Sequence, residues 1–116
     1  MSPIRKKETA RKTCVAVLPA AGSSSRMKAA GNKLFLELSG IPVIALTLKA
    51  LEASPFIDEI IIPTRPDMID DVRSICNAYS ITKVSAIIEG GENRTESVLN
   101  GVLHAKGKFD LIAIHD

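Results

Sequence analysis

The 116-residue chain has few aromatic side chains, 3% with no tryptophan, so any core it builds is aliphatic. That scarcity also removes the stacking platforms on which single-stranded nucleic acid is commonly held. Only two cysteines occur, Cys14 and Cys76. They lie far apart, without a CxxC spacing or a neighbouring histidine, which argues against a metal cluster and against a disulfide framework. Both read as small buried hydrophobes, and a reducing cytoplasm is the expected setting. No apolar run approaches the roughly 20 residues needed to span a bilayer, so a soluble protein with no membrane partner is expected. A strong surplus of one charge is missing too: 15 Lys and Arg stand against 13 Asp and Glu.

The small basic excess is local. Arg5, Lys6, Lys7, Arg11 and Lys12 precede Cys14 with only Glu8 against them, which leaves the rest of the chain slightly acidic. Residues 1–13 have no apolar segment behind their basic residues and do not read as a secretory signal. We read them as a disordered basic tail. Nucleic acid is not an expected partner, because no aromatics interleave with these charges and the body carries no matching basic stripe.

What the chain does have is short β-branched apolar runs: CVAVL from Cys14, EIIIP from Glu59, KVSAIIE from Lys83 and DLIAIHD from Asp110. Their apolar residues are consecutive rather than alternating, as in strands covered on both faces. Helical patterns lie between them. Pro42 to Ala53 opens on a proline suited to a first helical turn and repeats Ile44, Leu48 and Leu51. Asp67 to Tyr79 opens on an acidic residue able to cap or flank a helix start and aligns Ile69, Val72, Ile75 and Cys76. Asn93 to Lys106 places Val98, Val102 and Ala105 on one face, with Leu99 and Leu103 alongside. Alternating strands and helices predict an α/β fold, a Rossmann-like and mostly parallel sheet flanked by helices and joined by right-handed crossovers. Residues 14–116 form its one domain.

In such sheets ligands bind beyond the carboxyl ends of strands. That points to Pro19–Lys33, Glu89–Arg94 and the pair His115-Asp116. After the first strand, Ala20, Ala21 and Gly22 leave backbone N–H groups accessible, and Ser23, Ser24 and Ser25 add hydroxyls. Arg26 offers a planar cationic fork, and Lys33 offers a point charge seven residues later. Together these residues suit a polyphosphate cradle, although a flexible serine-rich connection has the same composition. Neither GxxxxGK[ST] nor GxGxxG fits the spacing.

The run LPAAGSSSRM with Lys33, then EGGENRTESVLNGV and LIAIHD, resembles three motifs of the 2-C-methyl-D-erythritol 4-phosphate cytidylyltransferases: PAAGxGxRM followed by PK, GGxxRxxSVxxGL and VLVHDxARP. Ser24 stands where that family has a second glycine, Asn32 where it has proline and Glu92 where aspartate is common. The resemblance implies a nucleotidyltransferase fold of the GT-A-like type. It implies CMP transfer from CTP to a sugar-alcohol phosphate, with Mg2+ as cofactor and a homodimer as the full-length state. Pro19, Ala20, Ala21, Gly22, Ser23, Ser24 and Ser25 would then bind nucleotide, and Arg26 and Lys33 would hold the phosphates and stabilise charge during transfer. Gly91, Glu92 and Ser97 would read base and ribose. Arg94 would either bind ligand or brace the loop against Glu92 or Glu96. Asp116 would be the magnesium ligand, with His115 orienting the strand end and His104 exposed on a helix. The resemblance also implies that these residues are the nucleotide-binding half of the domain, incomplete at its C-terminus. The alternatives are a pentitol phosphate acceptor, such as ribitol 5-phosphate, and a nucleotide-binding domain without catalysis.

Overall fold

The computed structural model describes residues 12–20, 37, 38 and 40–115. The elements run β1 (Cys14–Val17), β2 (Glu37–Leu38), β3 (Ile41–Pro42), α1 (Val43–Ala53), β4 (Glu59–Thr64), a 3-10 turn (Pro66–Met68), α2 (Ile69–Ala78), β5 (Val84–Glu89), α3 (Arg94–Ala105) and β6 (Leu111–Ile114). All four expected strands and all three expected helices are present. The β2–β3 pair, a short antiparallel ribbon around Gly40, was not anticipated.

Strands β5-β4-β1-β6 form one sheet in that order, and every pair is parallel. The chain steps from β1 to β4 to β5, then returns through α3 to the far side of β1. The direction of travel therefore reverses between β1 and β6, and in sheets of this kind ligands bind beyond the strands' carboxyl ends at such a reversal.

Right-handed crossovers that step in opposite directions put helices on opposite faces. Ile44, Leu48 and Leu51 of α1 and Val72 and Cys76 of α2 pack with Ala16, Leu18, Ile60 and Ile62 on one face. Val15 and Ile61 meet Ala105 on the other. Alternate residues of each strand thus serve two cores, which explains the unbroken apolar runs. Cys76 is buried and burial raises its thiol pKa, while Cys14 is half-buried.

One expectation about helices needs correction, and one that was open is decided. Asp67 flanks the start of α2 instead of capping it: its carboxylate receives the Arg65 guanidinium at 3.1 Å, and a 3-10 turn begun by Pro66 precedes the helix. In α3 the side facing the sheet is Ser97, Gly101 and Ala105, while Val98 and Val102 flank it half-buried. Leu99 and Leu103 lie exposed on its outer side. Backbone proximity is the reason. A Cβ at Gly101 would sit 2.5 Å from Val17 Cγ1 and 3.1 Å from Pro63 Cγ, so larger residues cannot occupy the contact line.

Polar clamps hold the amino-terminal edge. Asp58 Oδ2 accepts the Cys14 N–H at 2.8 Å, and Asp110 Oδ2 accepts the Thr13 N–H at 2.8 Å. Glu52, near the end of α1, accepts N–H groups of Thr82 and Lys83 and the Thr82 hydroxyl, tying that helix to the start of β5. Burial pushes the Glu52 pKa up, but the hydrogen bonds from Thr82 and Lys83 outweigh it and hold the carboxyl below its ordinary 4.5.

Gly101→Val is expected to lower stability by about 1–3 kcal/mol through overpacking, more than the gain in helix propensity over glycine, under about 1 kcal/mol; urea unfolding reads this. A carboxyl with a depressed folded pKa contributes stability that is present above its unfolded value and lost as pH falls through its folded value. Glu52→Gln should therefore be less stable than the parent at pH 7, with the gap closing below pH 4.5. A constant gap across an acid titration of thermal melting would contradict this role.

Candidate functional site

The carboxyl edge of the sheet brings together Pro19 and Ala20 after β1, Thr64 ending β4, Gly90 and Gly91 after β5, and His115 after β6. Parallel pairing runs past the ends of the strands. Leu18 N–H donates to Ile61 O at 3.0 Å, Ala20 N–H to Pro63 O at 2.9 Å, Gly90 N–H to Thr64 O at 2.7 Å and His115 N–H to Val17 O at 3.0 Å. The edge is consequently a fixed rim. One expectation changes: the Ala20 N–H is engaged by Pro63 instead of being left accessible, because Ala20 is fully buried as the last rung beside β4. Ala21, Gly22, Ser23, Ser24, Ser25, Arg26, Lys33 and Asp116 lie outside the described residues.

The loop between β5 and α3 is built by its own side chains. Asn93 caps α3, its Oδ1 accepting the Glu96 N–H at 2.8 Å and its carbonyl the Ser97 N–H at 3.0 Å. Glu96 reaches back to accept the Glu92 N–H at 2.9 Å. Ser97, 3% exposed, accepts the Gly91 N–H on Oγ at 3.0 Å. Asn100 Nδ2 donates to Glu89 O at 3.3 Å, fixing the strand end to the helix.

Small residues are obligatory in this loop. A Cβ at Gly90 would lie 2.6 Å from Ser97 Oγ, and one at Gly91 would lie 2.1 Å from Glu96 Cβ. Gly91, Glu92 and Ser97 are therefore brought together, with Ser97 acting as an internal brace. Arg94 is exposed at the first position of α3. Glu96 ties down the Glu92 backbone.

Sequence reasoning missed the roles of three residues here. Asn93 and Glu96 carry a capping-box spacing, Asn-x-x-Glu, which was the available signal. Thr64 gave none. Its residue is 1% exposed, and its Oγ1 is the buried side-chain polar atom without a hydrogen-bond partner among the described residues. His104 is exposed as expected. No group of three or more His, Cys, Asp or Glu among the described residues is placed to hold a metal ion, and no described helix is long and apolar enough to cross a membrane.

A parallel sheet with helices on both faces, a direction reversal beside its first strand and a pair of glycines on its carboxyl rim defines a Rossmann-like α/β domain. Residues 14–116 match the family model described as IspD, 2-C-methyl-D-erythritol 4-phosphate cytidylyltransferase. A protein of that description from Geobacter metallireducens is 40% identical over 105 residues, covering 87% of this chain and 45% of that protein. One from Halalkalibacterium halodurans is 39% identical over 100 residues, covering 86% and 43%. The crystal structure of the 4-diphosphocytidyl-2C-methyl-D-erythritol synthase from Anaerococcus prevotii is similar with a TM-score of 0.72 at 26% identity, covering 90% of this chain and 43% of that one. The chain belongs to the 2-C-methyl-D-erythritol 4-phosphate cytidylyltransferase family, and it spans less than half the length of these relatives.

Ser97→Ala removes the acceptor of the Gly91 N–H and is expected to cost about 1 kcal/mol. Amide exchange should accelerate at Gly91 while the β4 amides stay protected. Unchanged exchange at Gly91 would show that Ser97 does not brace the loop.

Proposed function

We propose that this chain is the nucleotide-binding portion of an enzyme that transfers CMP from CTP to 2-C-methyl-D-erythritol 4-phosphate and releases pyrophosphate. The observation that carries the reading is the family match over residues 14–116, with motif residues Pro19, Ala20, Gly91, Glu92 and Ser97 on one rim or its adjoining loop. The names of the relatives favour methylerythritol phosphate over a pentitol phosphate as acceptor.

The chain's own chemistry divides into recognition and charge neutralisation. Gly90 and Gly91, without Cβ groups, let the loop close on Ser97 and Glu96 of α3, and the family resemblance assigns Gly91, Glu92 and Ser97 at this rim to recognition of base and ribose. Breaking the bond between the α-phosphorus and pyrophosphate builds negative charge on the leaving oxygens. Arg26 and Lys33 offset that charge by position, and little covalent chemistry is asked of the protein. The acceptor is already an ionised phosphate, so no general base is required and His115 serves the strand end.

A magnesium ion held at this rim would take most of its oxygens from triphosphate and water, as Mg2+ usually does. Asp116, next after the rim residue His115, would supply the protein carboxylate. When bound, the ion neutralises triphosphate charge. The family resemblance extends this reading to a cytoplasmic homodimer.

Calorimetry with CTP and ATP in the presence of Mg2+ tests the reading. CTP should bind at least tenfold more tightly than ATP, and Arg26→Ala or Lys33→Ala should weaken CTP by tenfold or more, about 1.4 kcal/mol. Equal affinity for both nucleotides, or wild-type affinity in both variants, would overturn it.

A further inference from the structure

At the amino-terminal edge of the strands, opposite the rim, the α3 side of the sheet holds a cavity of about 480 Å3. It follows from the way α3 lies on the sheet. Gly101 brings the helix down onto Val17 and Pro63, and Ala105 onto Val15 and Ile61. The chain then turns at Gly107, where φ is +81°, and Phe109 packs back against the same core. Beside the helix the sheet stays open toward β5, with Ala86 and Ile88 only half-buried.

The lining sorts into an apolar floor and two charged walls. Ile61, 1% exposed, and the half-buried Phe109 make the floor. Glu59, half-buried at the start of β4, stands on the strand side, and His104 and Lys108 stand on the helix side. Other polar groups at this edge are engaged in the fold: Thr13 is bonded to Asp110, and Asp58 accepts the Cys14 N–H. By contrast, the side chains of Glu59, Ser85, His104 and Lys108 make no hydrogen bond or ion pair among the described residues. Unlike charges thus share one cavity without meeting, because separate elements hold them on opposite walls.

We propose that this cavity binds a small dipolar molecule, with a primary ammonium and a carboxylate set apart by a short methylene chain, the chemistry of an ω-amino acid. The ammonium pairs with Glu59 and donates to the Ser85 hydroxyl. The carboxylate pairs with Lys108 and accepts from His104, while the methylenes lie over Ile61 and Phe109. A molecule carrying one charge leaves the opposite wall unpaired, and one carrying both charges on the same carbon reaches only one wall. The cavity lies at the far end of the strands from the rim, so the inference does not depend on nucleotide recognition.

The test is an amide chemical-shift titration of the chain with ε-aminocaproate, its isomer norleucine, and the singly charged caproate and hexylamine. Saturable shifts at Glu59, Ser85, His104 and Phe109 are expected with ε-aminocaproate, at millimolar affinity as suits so small a probe. The other three compounds should bind at least threefold more weakly. Glu59→Gln and Lys108→Gln should each weaken ε-aminocaproate about threefold, as for a partly exposed ion pair, with an unchanged circular dichroism spectrum. Should a variant fail to fold, the comparison of the four compounds on the parent chain decides alone. No saturable shift, shifts confined to the carboxyl rim, equal affinity for norleucine, or parent affinity in either folded variant would overturn the proposal.

Discussion

The close approach of α3 to β1 and β4 at Gly101 sets the position of everything at the carboxyl edge of the sheet. With no side chain at 101, the helix backbone comes down onto Val17 and Pro63. Ser97, one turn earlier on the same side, is thereby buried where its hydroxyl can take the Gly91 N–H. The amino terminus of α3, capped by Asn93, arrives beside the glycines that end β5. A bulkier contact line would raise the helix and break the Ser97 brace.

The rim gains its rigidity from ladder bonds that continue beyond the strands, at Leu18, Ala20, Gly90 and His115. Rigidity matters because recognition of a flat, charged ligand depends on groups already in place when it arrives. Among the described residues, Thr64 Oγ1, at the end of β4, is a buried side-chain polar atom with no hydrogen-bond partner. At the opposite edge, Asp58, Asp110 and Glu52 tie strand starts and a helix end together through carboxylates that accept backbone N–H groups.

Much of the fold was legible along the chain because strands buried on both faces and helices buried on one leave different apolar spacings. Ile44, Leu48 and Leu51 fell where the period placed them, as did Val72 and Cys76. The spacing misled in α3, where the valines marked a flank and the small residues marked the contact. Hydrophobic periodicity assumes that the largest apolar residues face the core, and a helix lying very close to a sheet inverts that order. The candidate loops were legible as motif, whereas the cap by Asn93, the tie from Glu96 and the burial of Thr64 were not, since these roles are set by which backbone groups surround them.

By itself the sequence determined the element order, the parallel α/β class and which loops follow the carboxyl ends of the strands, because these follow from local spacing and from the restricted handedness of crossovers. Only the tertiary structure decided the strand order, with β6 beside β1, the engagement of the Ala20 N–H by Pro63, and the brace from Ser97 to Gly91. Those outcomes depend on which backbone groups meet across long stretches of chain, and no local pattern of side chains encodes such meetings.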